Sequence, residues 1–142
     1  RLTGAGFQHY EISNYARPGR ESRHNLAYWR GADYLGFGPS AFSTVGSSRW
    51  QNVPNSAEYE ARVFAGEDPA SFREELPALT RQGEIIAFGL RTARGVSVDE
   101  LTPWQDAVRD FEELGLLERA ADHLRLTRRG KLLADSVAEA FV

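Results

Sequence analysis

The stretch RHNLAYW, residues 23–29, sets a histidine beside an asparagine, with a tyrosine and a tryptophan one helical turn further on. An imidazole is a good ligand for iron, and aromatic rings pack well against a flat partner. Three readings are open on residue types alone: a capped helix, an aromatic piece of core, or a pocket for a flat ligand that carries a metal. In the third, a helix opens at Leu26, Asn25 caps it, His24 lies just outside and ligates the metal, and Tyr28 and Trp29 bring their rings to the same cavity. His9 and His123 share no metal-site spacing with His24. His9 falls in a strand-like stretch and reads as a satisfied core histidine; His123 falls at a hairpin tip and reads as solvated.

GFGPSA, residues 36–41, fits the G-x-G-x-x-A pattern of dinucleotide-binding turns. That pattern works only if a helix follows at once and offers its N-terminal N–H groups to a pyrophosphate. Here the chain continues as FSTVGSSRW, β-branched and turn-rich, so a dinucleotide fold is excluded. A glycine-lined strand end remains, either a place where backbone can approach a ligand closely or a bulge or tight bend.

Composition narrows the chemistry. The 142 residues carry a net charge of −3, 42% are hydrophobic, and there is no cysteine. Disulfides and thiolate-ligated zinc or iron–sulfur sites are therefore excluded from this chain. Lys131 is the single lysine among many arginines. No apolar run reaches the roughly 18–20 residues of a membrane span. The start has no methionine and no apolar leader region, so a piece of a longer protein is expected, with the cytoplasm as its location.

Around these motifs the sequence predicts the following elements. FQHYEIS, 7–13, alternates like a strand, and ARPG breaks it. Residues 32–46 have strand-like ends, and SSRWQNV returns after a turn at Gly46. Asn55 or Ser56 caps a helix that Gly66 ends, and EDPASF, 67–72, reads as a domain boundary. Ile85, Ile86, Gly89 and Leu90 share a helical face, and Ser97 caps a short turn. Thr102 and Pro103 open a helix whose apolar stripe is Trp104, Ala107, Val108, Phe111 and Leu114. Two strands follow around residues 120–122, and Thr127 caps a last helix with Leu133, Val137 and Phe141 inside. This order is that of a winged helix. The outward face of the 103–114 helix is acidic, however, with Asp106, Asp110, Glu112 and Glu113 against Arg109. Duplex DNA demands Lys or Arg to replace its counterions, so no DNA partner is expected. Arg128, Arg129 and Lys131 form a small basic cluster nearby.

YEISNYARPGRESRHNLAYW, DYLGFGPSAFS and RWQN together resemble the later part of the oxygen-independent coproporphyrinogen-III-oxidase-like radical S-adenosylmethionine proteins, closest to their haem-chaperone (HemW) branch. The resemblance covers essentially the whole chain. It implies an α/β plus α fold: residues 1–68 as the end of a radical-SAM, partial TIM-like barrel with its following strands, and 69–142 as a winged-helix-like C-terminal domain. It implies haem binding at His24, Asn25, Tyr28 and Trp29, with His24 on the haem iron, and S-adenosylmethionine-pocket contacts at Ala16, Gly36, Gly38 and Ala41. The family's [4Fe–4S] cluster sits on a C-x-x-x-C-x-x-C motif that this chain lacks, so the cluster and radical chemistry would belong to the intact parent and not to this chain alone. The implied partners are haem or a porphyrin and a haem-accepting apo-protein; peripheral membrane association stays open. A porphyrin-synthesis oxidase and a winged-helix interaction module are the alternatives to a haem chaperone.

Overall fold

A computed structural model describes residues 1–142. The chain divides into two compact units, one formed by residues 1–31 and 82–142, the other by residues 32–81. This division differs from a boundary at 68/69. Of the expected boundary segment EDPASF only Ala70–Phe72 are strand, and residues 1–31 group with residues 82–142.

The unit of residues 32–81 is built on an antiparallel meander of β3 (Phe42–Val45), β4 (Ser48–Asn52) and β5 (Ala70–Glu75). Gly46 and Ser47 make the β3–β4 turn, and β4 carries an irregularity at Gln51/Asn52. Between β4 and β5 runs α2 (Ser56–Ala65). Asn55 caps it by accepting from the Glu58 N–H, and Gly66 ends it in the left-handed conformation, as its sequence signals imply. EDPASF did not read as a strand because it opens with two acids and a proline. Its pairing with β4 is tertiary, and local propensity carries little of that information.

In the other unit, β1 (Gln8–His9) pairs with β2 (Tyr15–Ala16). The alternation of 7–13 predicts a longer strand. The chain turns back at once, with Tyr10 N–H on the Asn14 carbonyl, and Glu11 leaves the hairpin to bridge Thr92. The short helix α1 (Arg23–Trp29) follows. The rest of the unit comprises α3 (Ala78–Gly89, from Gln82 onward), β6 (Val96–Ser97), a 3-10 turn over Val98–Trp104, α4 (Gln105–Glu113), the hairpin β7 (Leu117–Ala120) and β8 (His123–Leu126), a 3-10 turn over Gly130–Leu133, and α5 (Ala134–Ala138). The three strands pair antiparallel in the order β6-β8-β7.

One core holds this unit together: Ile86 and Leu90 of α3, Val96, Leu101, Val108 of α4, Leu117, Leu124 and Leu126 of the sheet, and Val137 and Phe141 at the end. Trp104 and Phe111 pack against it from the α4 stripe. Leu114 does not; it is 55% exposed, because α4 ends one residue before it. Leu133 is likewise exposed and Ala134 takes its place inside. Thr102 does not cap a helix. Its hydroxyl donates to the Asp99 carbonyl within the 3-10 turn, and α4 starts at Gln105. Thr127 accepts from the Gly130 N–H at 3.0 Å but caps neither helix, since the 3-10 turn opens after Arg129 and α5 after Leu133.

Candidate functional site

The whole RHNLAYW stretch is α1, and Ser22 starts it. The Ser22 Oγ accepts from the Asn25 N–H at 3.3 Å, so Ser22 is the cap and Asn25 is the third residue inside the helix. His24 is also inside, not before it. The expected cap at Asn25 fails because Ser22 is an equally good capping residue three positions earlier and leaves Arg23–Asn25 free to be helical.

Helical spacing then sorts the motif. His24 and Tyr28, four apart, share one stripe, and Asn25 and Trp29 share the next. His24 is exposed, and its ring makes no hydrogen bond or ion pair. Tyr28 is 39% exposed. Asn25 and Trp29 are half-buried. The rings form a cluster: Tyr28 and Trp29 are edge-on at 6.4 Å, and Phe88 of α3 lies 6.4 Å from Tyr28 and 6.0 Å from Trp29. The Arg91 guanidinium sits 5.4 Å from the Trp29 ring centre, a cation–π contact, and also pairs with Asp135 at 2.7 Å. The Trp29 Nε1 and Arg91 Nε are buried donors with no acceptor.

Trp29, with Leu26 and Arg30, lines a cleft of about 760 Å³, closed on other sides by His9, Ile85, Thr92 and His123. His123 is not the solvated hairpin tip its sequence position implies. Its side chain is only 19% exposed; Nδ1 lies 2.7 Å from Asp122, and Arg94 Nε donates to Nε2 at 3.2 Å. The His123 hydrogen bond, with that of the Asp122 backbone, holds the Asp122 carboxyl below its ordinary range. His9 is satisfied on both nitrogens, by the Ile12 carbonyl and by Lys131.

The GFGPSA loop belongs to the other unit and is knitted to its own sheet. Gly36 N–H donates to Ser43 Oγ at 2.9 Å, and Gly38 N–H to the Tyr59 hydroxyl at 3.1 Å. The buried Asn52 side chain donates to the carbonyls of both glycines. A Cβ on Gly36 would run into the Phe42 carbonyl, and Gly38 has φ +99°. The glycines thus serve a tight bend, one of the two readings open from sequence. Ala41 is half-buried, and its carbonyl accepts from the Asn52 N–H. Ala16 is a buried residue of β2, paired with Gln8. For a cluster the donor set does not fit: there is no thiolate, and no three His, Asp or Glu side chains converge.

Comparison with known proteins bears on these elements. Residues 76–133 match the model of the HemN C-terminal domain. Over 96% of its length the chain is 41% identical to the haem chaperone HemW of Mycobacterium tuberculosis, and over 70% it is 55% identical to the haem chaperone HemW of Synechocystis. The chain spans 35% and 25% of those two proteins. Among solved structures it resembles coproporphyrinogen III oxidase (HemN) of Escherichia coli, a radical SAM enzyme, with a TM-score of 0.70 and 19% identity over 99% of this chain and 38% of that one. That likeness shows a shared fold. The HemN-like resemblance read from YEISNYARPGRESRHNLAYW and GFGPSA therefore stands. No helix is long and apolar enough to cross a membrane.

Proposed function

We propose that this chain is part of a haem chaperone, a protein that binds haem as cargo and passes it to a haem-accepting apo-protein, and that α1 presents the docking face. The observation that carries this reading is His24, a solvent-facing imidazole with no partner of its own, with the Tyr28 ring one turn along on the same stripe. A protein-satisfied histidine would have to give up a bond to ligate iron; this one has none to give up. Asn25 and Trp29 act differently from His24. They lie on the adjacent stripe, where Trp29 packs on Phe88 and Arg91 and holds α1 in place. The resident family group, S-adenosylmethionine with its cluster, would be held mainly outside this chain. Here Ala16, Gly36, Gly38 and Ala41 would supply backbone walls, since the polar groups of the glycines are already spent on Ser43, Tyr59 and Asn52.

For the C-terminal part we propose a winged-helix-like unit. Its support is the run of helix, strand, 3-10 turn, helix and hairpin with the first strand paired to the last. Residues 1–68 would then be the end of the radical-SAM barrel with its following strands, and the cytoplasm is the expected location.

The function is tested by transfer. The whole protein carrying this sequence is loaded with haem and mixed with an apo-protein of distinct Soret spectrum. The expected result is movement of haem to the acceptor faster than from free solution, impaired by His24→Ala. A protein that retains no haem on gel filtration contradicts the proposal.

A further inference from the structure

A second cleft, of about 790 Å³, lies in the same unit; it shares His9 with the first cleft but is lined by no residue of α1. It is lined by His9, Tyr15, Glu118, Arg125, Arg128 and Lys131, among others. Its charge is lopsided, with three cations against one carboxylate. That carboxylate, Glu118, is already taken by the Arg125 Nε at 2.9 Å. Arg128 is exposed and makes no hydrogen bond or ion pair.

Lys131 is the centre of the arrangement. It is half-buried, and its Nζ donates to His9 Nδ1 at 3.2 Å. The other His9 nitrogen, Nε2, donates to the Ile12 carbonyl at 2.8 Å, which leaves Nδ1 as the acceptor. Tyr15 stacks on the imidazole at 4.4 Å and fixes its plane. The ammonium is thus held in place by a neutral acceptor that uses one of its three protons. The remaining two meet no acceptor in the structure. Glu11, buried nearby, accepts the Ser13 N–H on Oε1 and forms no ion pair with Lys131. Burial, followed by the charge of Arg125, holds the Lys131 amine below its ordinary pKa, against the opposing pull of Glu11 and Glu118. A positioned ammonium beside two guanidinium groups in one cleft is a donor set that suits an oxyanion.

We propose that this cleft binds a small oxyanion, a phosphate or carboxylate group, between Lys131 and Arg128, with Arg125 and the His9–Tyr15 stack setting its walls. The proposal is independent of the haem reading, because none of these residues lies on α1.

The whole protein carrying this sequence is labelled at lysine, the Lys131 side-chain signal is assigned by its loss in Lys131→Met, and it is followed by NMR while sodium phosphate, or in a second series sodium acetate, replaces sodium chloride at constant ionic strength. The expected result is a saturable shift with a rise in the Lys131 titration midpoint, in the phosphate series if the ligand is a phosphate and in the acetate series if it is a carboxylate. Arg128→Gln, an exposed change that leaves the fold intact, should weaken that binding about tenfold, the loss expected for one charge-assisted hydrogen bond. A signal that follows neither anion beyond chloride overturns the proposal, as does an Arg128→Gln protein that saturates at the same concentration.

Discussion

Lys131 is pinned to His9 in a partly buried position, and its folded-state pKa lies below the usual lysine value of 10.5. The folded chain therefore releases this proton before the unfolded chain does. Between the folded midpoint and 10.5 the unfolded state holds more protons, so this group's contribution to stability increases as pH rises through that window and is smallest below it. Urea midpoints measured from neutral pH up to 10.5 should show that upward component in the parent chain and lose it in Lys131→Met. An identical slope in both would mean that the Lys131 pKa is not displaced. His9 shows how a residue's role is only half legible. Its place in a strand-like stretch pointed to a satisfied histidine, yet nothing in the local sequence names Lys131, 122 positions away, as the partner. The same holds for His123. Hairpin position pointed to solvent, but Asp122 and Arg94 enclose it. Ser22 and Asn25 were both competent caps by type, and only the backbone decides between them.

At the scale of elements, the packing of α3 turns on one small residue. A Cβ on Gly83 would run into the Phe141 carbonyl and meet the Trp104 ring at 3.3 Å. Gly→Ala inside a helix ordinarily stabilises by roughly 0.5–1 kcal/mol. Here overpacking should win, and Gly83→Ala should destabilise by about 1–3 kcal/mol in chemical denaturation. A stabilised variant would show that Phe141 is not seated on α3. The α4 stripe gives a paired test. Trp104 packs on Phe141 at 6.2 Å and joins the core, so Trp104→Ala should cost about 2–4 kcal/mol, below the full-burial range because the ring is partly exposed. Leu114→Ala, although it continues the same periodicity, should change stability by less than about 0.5 kcal/mol because the side chain is exposed. Equal melting shifts would contradict the burial difference. Elements with local signals at both ends, such as α2 with Asn55 and Gly66 or the β7–β8 hairpin, were legible. The stripe failed only at Leu114, beyond the helix end, where periodicity no longer applies. β5 and the short β1 were not legible, since strand extent is set by partners distant in the chain.

At the scale of the whole molecule, charge separates the surfaces. On α4, Arg109 is occupied by Asp106 at 3.0 Å and Asp110 at 3.7 Å, and Glu112 is occupied by Arg119 at 2.8 Å. The helix therefore offers no free cation to phosphate, and labelled duplex DNA at low salt should show no tight, salt-sensitive binding. Binding that falls steeply with salt would refute this. The composition, with no cysteine, kept cluster chemistry off this chain from the start, while RHNLAYW carried the family likeness. What sequence did not show is the split of that motif into two stripes, because it depends on where α1 begins. The claim that His24 is the haem ligand makes a sharp demand on that split. Haem titration of the whole protein carrying this sequence, wild type against His24→Ala, followed by the Soret band with a parallel thermal melt, tests it most directly. Lost or strongly weakened haem binding at an unchanged melting temperature is expected, since His24 is exposed and has no protein partner. An unaltered Soret titration in His24→Ala would contradict it.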